Sequence, residues 1–169
     1  MLYTIHDNKV YVVLGKEMGN WFPFKGTREH GETNEQAAIR EIREETCGAV
    51  NIDSIELECN FSTKRKHYHI GLVKISREQI NIFYANKEKL LKEWQSGGCK
   101  EDEYKWEYME KNDIKMFHIE NIFRKQFHEI SYIPIKHYYK KLIRLQRKIN
   151  NSHPSPIMQH LNTLRRVIV

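Results

Sequence analysis

Apolar and β-branched side chains open the chain in two short runs, Tyr3–Ile5 and Lys9–Leu14, parted by the polar triplet His6-Asp7-Asn8. Runs of this composition around a turn-prone spacer predict a β-hairpin. After Leu14 the chain is expected to turn through Gly15–Asn20 into Trp21-Phe22-Pro23-Phe24-Lys25-Gly26. The period then changes from strand to helix. Thr33 and Gln36 form a T-x-x-Q capping box, and Ala37, Ala38, Ile39 and Ile42 supply the apolar positions behind it. This helix should stop near Cys47-Gly48, where glycine can take the left-handed conformation that ends helices.

Ile52–Cys59 and Tyr68–Ile75 read as two further strands, with Lys64-Arg65-Lys66 at the turn between them. Within Ser76–Trp94 a helical pattern is visible around Lys87–Trp94, and Ser96–Glu103 is a loop by its glycines and charges. Tyr104–Met109 and Asp113–Phe117 are strand segments, and Ile119–Phe123 is a short helix or turn. Pro134–Ile149 carries the clearest period. At 100° per residue, Ile135, Tyr138, Tyr139, Leu142, Ile143, Leu145 and Ile149 share one side. Lys136, Lys140, Lys141, Arg144, Arg147 and Lys148 share the other. Pro134 stands where proline starts a helix well. Asn150–Pro156 breaks the pattern, and Ile157–Val169 is a short docking helix or a frayed end.

With 169 residues the chain can bury one core, so a single domain is expected over 1–150, including the helix 134–149, with a tail over 151–169. No apolar run approaches the length of a membrane span, and the first ten residues lack the basic start and apolar stretch of a leader. A cytoplasmic location and no membrane partner are the expectation. Cys47, Cys59 and Cys99 show no metal-ligand spacing, so reduced thiols and no disulfide-linked partner are expected. Charge is uneven. Arg124–Val169 holds ten Lys/Arg against one acid, Glu129, which with the overall +6 leaves residues 1–123 at −3. An acidic body suits cations, and a basic tail suits an anion.

The acidic body concentrates at one place. On a helix that starts near Thr33, Glu41, Glu44 and Glu45 lie within an arc of about 100°, because residues three and four apart share a face. Such crowding costs only a few tenths of a kcal/mol per pair, roughly, so a solvated acidic face is physically viable. Converging hard oxygens are also what Mg²⁺ or Mn²⁺ requires, and a bound ion turns repulsion into coordination.

Gly26, five residues, Glu32, seven residues and Arg40-Glu41-Ile42-Arg43-Glu44-Glu45 resemble the Nudix box, G-x5-E-x7-R-E-U-x-E-E-x-G-U with U aliphatic. The match is complete from Gly26 to Glu45 and departs at the end, where Cys47 replaces the glycine and Gly48 the aliphatic. The resemblance implies an α/β fold, a Nudix-type α/β/α sandwich with a mixed β-sheet, here followed by the C-terminal basic amphipathic helix. It also implies hydrolysis of a nucleoside diphosphate linked to another group. Position by position, Glu41, Glu44 and Glu45 would hold Mg²⁺ or Mn²⁺, the Gly26 carbonyl would add an oxygen, and Arg40 would orient a carboxylate. Glu45, or Glu44, would act as base. A further acid outside the box is expected from Glu101, Glu103, Glu107 or Glu110, with Glu110 preferred.

Trp21-Phe22-Pro23-Phe24-Lys25-Gly26 is similar to the W-x-F-P-K-G of the family's mRNA-decapping branch, with Pro23 and Phe24 in the opposite order. That similarity implies capped RNA as substrate and m7GDP as product. Lys25, Lys64, Arg65, Lys66 and the basic face Lys136, Lys140, Lys141, Arg144, Arg147 and Lys148 would then contact RNA. An ordinary docked helix with solvated lysines explains the same face. Trp21, Phe22 and Tyr68 are candidates for base stacking, with core packing the plainer role. Two alternatives stay open: a small-molecule pyrophosphatase acting on nucleoside triphosphates, dinucleoside polyphosphates or inositol pyrophosphates, and a non-catalytic RNA-binding module. The intact box argues against the latter.

Overall fold

The computed structural model describes residues 1–55, 57–62, 67–96, 110–125, 127 and 129–152. Its first hairpin pairs β1 (Leu2–His6) with β2 (Lys9–Glu17) antiparallel, from Leu2 opposite Val13 to His6 opposite Lys9. Asp7 and Asn8 take φ of 47° and 59° at the turn, the left-handed conformation that Asp and Asn tolerate better than most residues. β2 does not end at Leu14. It runs on to Glu17 and returns as β3 (Asn20–Phe22) after a turn at Met18-Gly19, so Gly15 is a strand residue. The glycine serves packing there: a Cβ at Gly15 would lie 2.7 Å from Lys111 Cγ.

The length of β2 organises the sheet. Its edge beyond Val13 pairs with β3, and β7 (Asp113–His118) runs antiparallel along the other edge, from Tyr11 opposite His118 to Lys16 opposite Asp113. β6 (Val73–Lys74) adds to β1 in parallel, which makes the five-stranded sheet mixed. β4 (Leu57–Ser62) and β5 (His67–Gly71) form a separate two-stranded ribbon. The expected Tyr68–Ile75 strand is thus divided at Leu72 between ribbon and main sheet.

α1 (Asn34–Glu45) begins with both hydrogen bonds of the Thr33–Gln36 capping box. It ends where Cys47 and Gly48 take φ of 53° and 71°, with the Gly48 N–H donating to the Arg43 carbonyl at 2.7 Å. Cys47 therefore adopts a left-handed conformation at the position where the box has glycine. α2 (Arg77–Gln95) starts well before Lys87, because Ser76 and Gln79 form a second capping box: Gln79 N–H to Ser76 Oγ at 3.1 Å and Ser76 N–H to Gln79 Oε1 at 2.8 Å. α3 (Glu129–Ser152) also starts early, so Pro134 lies inside it and forgoes a bond toward the Ile130 carbonyl.

Strand alternation divides the core into two clusters. Leu2, Val13 and Ile114 pack with Ile42 of α1 and Ile80 and Phe83 of α2. Val10, Val12, Leu14 and Phe117 pack with Ile135, Tyr138 and Leu142 of α3. Burying a side chain such as Phe83 or Leu142 contributes about 2 kcal/mol. The outcome is the α/β/α layering that the resemblance implied, with α1 and α3 on opposite faces of the sheet. Lys64–Lys66, the expected strand Tyr104–Met109 and residues 153–169 lie outside the described residues.

Candidate active site

Leaving β3, the chain passes Phe24, Lys25 and Gly26 directly against α1. Gly26 leaves the space that the Glu41 carboxylate fills, since a Cβ there would overlap it and push it out of place. The loop and helix enclose a cleft of about 450 Å³ whose walls are residues 25–29, the Arg40–Glu45 face of α1, and Glu110.

Arg40 organises this face. Its five N–H groups have five acceptors: Nε and Nη2 grip Glu32 at 2.8 and 3.1 Å, Nη1 reaches Glu41 at 3.0 Å and Glu44 at 2.9 Å, and Nη2 donates to the Thr27 carbonyl at 2.9 Å. One cation thereby offsets the repulsion among three carboxylates. Hydrogen bonding to Arg40 also holds the Glu32 carboxyl below its ordinary range. Glu41 is shifted the other way, because burial outweighs the attraction of Arg40.

Glu45 occupies a different environment. Only 1% exposed, it accepts the Lys25 backbone N–H at 2.7 Å and faces Lys111 Nζ at 2.7 Å. Burial pushes its pKa up to about 8, against the pull of Lys111. Lys111 is itself fully buried, and its ammonium also meets Glu17 at 2.5 Å and Glu110 at 3.3 Å. Burial opposes that charge, but the three carboxylates outweigh it and hold the Lys111 pKa above its ordinary value. Among the described residues, Glu17, Glu45 and Glu110 each offer one carboxylate oxygen to a group that lies within 4.8 Å of one another.

The cleft thus brings together Gly26, Arg40, Glu41, Glu44, Glu45 and Glu110 of the expected site, and the buried Lys111, which like Glu17 lies outside that lining, joins its Glu45 and Glu110 to Glu17. Alternation along β2 carries a signal for Glu17: Val13, Gly15 and Glu17 are two apart, and Val13 faces the α1 layer. No pattern marks Lys111, which meets Glu17 across 94 positions of sequence. The Lys25 side chain lies at the cleft, 3.5 Å from Glu17 and 3.9 Å from Glu110. Lys136, Lys140, Lys141, Arg144, Arg147 and Lys148 are all exposed on α3, across the sheet from α1.

The aromatic candidates are engaged in packing. Phe22 is buried beneath the ammonium groups of Lys25 and Lys111, at 5.2 and 5.6 Å from its centroid. Tyr68 stacks on Phe61, and Trp21 meets the edge of Phe117. Trp21 also lines a second groove with Lys115, Arg124 and Lys125, and its carbonyl accepts a hydrogen bond from Ser131 of α3.

A mixed sheet between helical layers, with carboxylates gathered on one helix over a cleft, defines the class as an α/β sandwich carrying an oxygen-rich site suited to a hard divalent ion. The family model of the NUDIX domain matches residues 3–130, and the chain belongs to that family. It is accordingly a nudix hydrolase of the pyrophosphate-cleaving kind, from a family that generally uses divalent metals and acts on nucleotide substrates. Comparisons with curated proteins and with solved structures return no match. Among the described residues no helix is long and apolar enough to cross a membrane.

Proposed function

We propose that the protein is a Mg²⁺- or Mn²⁺-dependent decapping hydrolase, which cleaves capped RNA to m7GDP and a 5′-monophosphate end. The observation that carries this reading is the exposed row of six cations on α3, spanning about 20 Å. A free nucleotide needs no such surface, whereas an RNA backbone does. The groove of Trp21, Lys115, Arg124 and Lys125 is tied to the start of the same helix by the Ser131–Trp21 hydrogen bond and supplies three further cations.

In the proposed reaction, water attacks the β-phosphorus of the cap and the bond to the α-phosphate oxygen breaks. Glu45 takes the proton of the attacking water. Glu41, Glu44 and Glu45, with the Gly26 carbonyl and Glu110, offer the oxygens that would hold Mg²⁺ or Mn²⁺. When bound, the ion would neutralise phosphate charge and acidify the attacking water. Arg40 keeps Glu41 and Glu44 aimed, and Gly26 leaves room for the Glu41 carboxylate.

Incubation with Mg²⁺ or Mn²⁺ and, separately, cap-labelled RNA, free cap dinucleotide and a nucleotide panel tests the substrate. Release of m7GDP from long RNA alone supports decapping. Turnover of free nucleotides without dependence on RNA sinks it in favour of a small-molecule pyrophosphatase, and RNA binding without any cleavage favours a non-catalytic module.

A further inference from the structure

Behind the cleft lies the least expected feature of the site, the fully buried ammonium of Lys111 in contact with three carboxylates. Those carboxylates, Glu17, Glu45 and Glu110, converge within 4.8 Å, a spacing that matches a shared cation. The lysine is held in place along its length. Its stem lies on the backbone of Gly15, its carbonyl accepts a hydrogen bond from the Lys87 ammonium, and the Phe22 ring lies 5.6 Å from its charge. Swinging the ammonium out would strip Glu17 and the buried Glu45 of their contacts with it, at 2.5 and 2.7 Å, and would leave a buried polar group without its partner.

We propose that Lys111 is a built-in cation of this cluster. Its ammonium holds the place among Glu17, Glu45 and Glu110 where a divalent ion would otherwise bind, so the wild-type site takes one ion fewer than its carboxylates could hold. Lys111 is then a positioning residue: it fixes Glu45 Oε1 while the Lys25 N–H fixes Oε2. The inference rests on the hydrolase reading for what Glu45 does, but the ion count does not.

The test is the number of Mn²⁺ ions bound per chain, measured by the EPR signal of free Mn²⁺ during titration, for wild type, Lys111→Met and Lys111→Arg. Circular dichroism monitors folding in each. Lys111→Met is expected to bind one more Mn²⁺ than wild type, and its melting temperature to rise more on Mn²⁺ addition. Lys111→Arg, which keeps the charge, is expected to retain the wild-type number. A folded Lys111→Met with the wild-type number overturns the proposal. So does a Lys111→Met that stays unfolded in saturating Mn²⁺, because the ion should replace the missing ammonium. Wild-type protein that binds no Mn²⁺ removes the metal-dependent reading, while a gain of one ion in Lys111→Met would still support the built-in cation.

Discussion

Glu45 differs from the other box glutamates in being nearly sealed from solvent, and this gives its ionisation a measurable consequence. Its native pKa of about 8 lies above the ordinary glutamate value of 4.5. Between those values the native state holds a proton that the unfolded chain has released, so the metal-free protein loses stability as pH rises through the window. Glu41, also raised by burial, acts in the same direction. Glu17 is lowered, since Lys111 outweighs its burial, and its contribution is lost only as pH falls. Denaturant unfolding in EDTA is therefore expected to show wild-type stability falling relative to Glu45→Gln between about pH 4.5 and 8; parallel curves would contradict this. At this scale the sequence discloses what short-range pattern can carry. Gly26, Arg40 and the box glutamates stand at fixed spacing, and Glu17 follows from alternation once β2 is extended. Lys111 is legible only in three dimensions, because two of its three carboxylate partners, Glu17 and Glu45, come from β2 and α1, far away in sequence.

Capping chemistry explains which elements could be read and which were displaced. Thr33–Gln36 places α1 correctly, and Ser76–Gln79 carries the same signal for α2, although the apolar period becomes clear only near Lys87. Pro134 misplaces the start of α3, since packing of Ile135, Tyr138 and Leu142 against the sheet sustains the helix across a proline. The division of Tyr68–Ile75 between two sheets has no local signature. Within α3, Gln146 is 2% exposed; its Oε1 accepts the Val10 N–H at 2.6 Å and its Nε2 donates to the Asn8 carbonyl at 2.9 Å. This side chain ties α3 to the first hairpin turn. Gln146→Leu leaves both backbone groups without these bonds and is expected to cost about 2 kcal/mol, measured by denaturant unfolding. A loss below a few tenths of a kcal/mol would show that the tie carries little.

Across the whole molecule the charges are segregated by layer. Carboxylates gather at the α1 cleft, while the six α3 cations lie exposed beyond the opposite face of the sheet. An RNA that reaches both must pass around the sheet edge, so cationic binding and cleavage should be separable by mutation. Replacing Lys140, Lys141 and Arg144 together with alanine is expected to weaken RNA binding and to reduce its salt slope by about 2. Turnover of free cap dinucleotide should be unchanged. An unaltered slope would mean that the basic face is merely solvated.

The central claim is that the buried glutamate of the box performs the hydrolysis, and m7GDP release from cap-labelled RNA in Mg²⁺ tests it when wild type and Glu45→Gln are measured side by side. Clear release by the wild type and a drop of roughly 10²- to 10⁴-fold in the variant are expected, with the variant's fold retained by circular dichroism. A Glu45→Gln protein that releases m7GDP at the wild-type rate would contradict it.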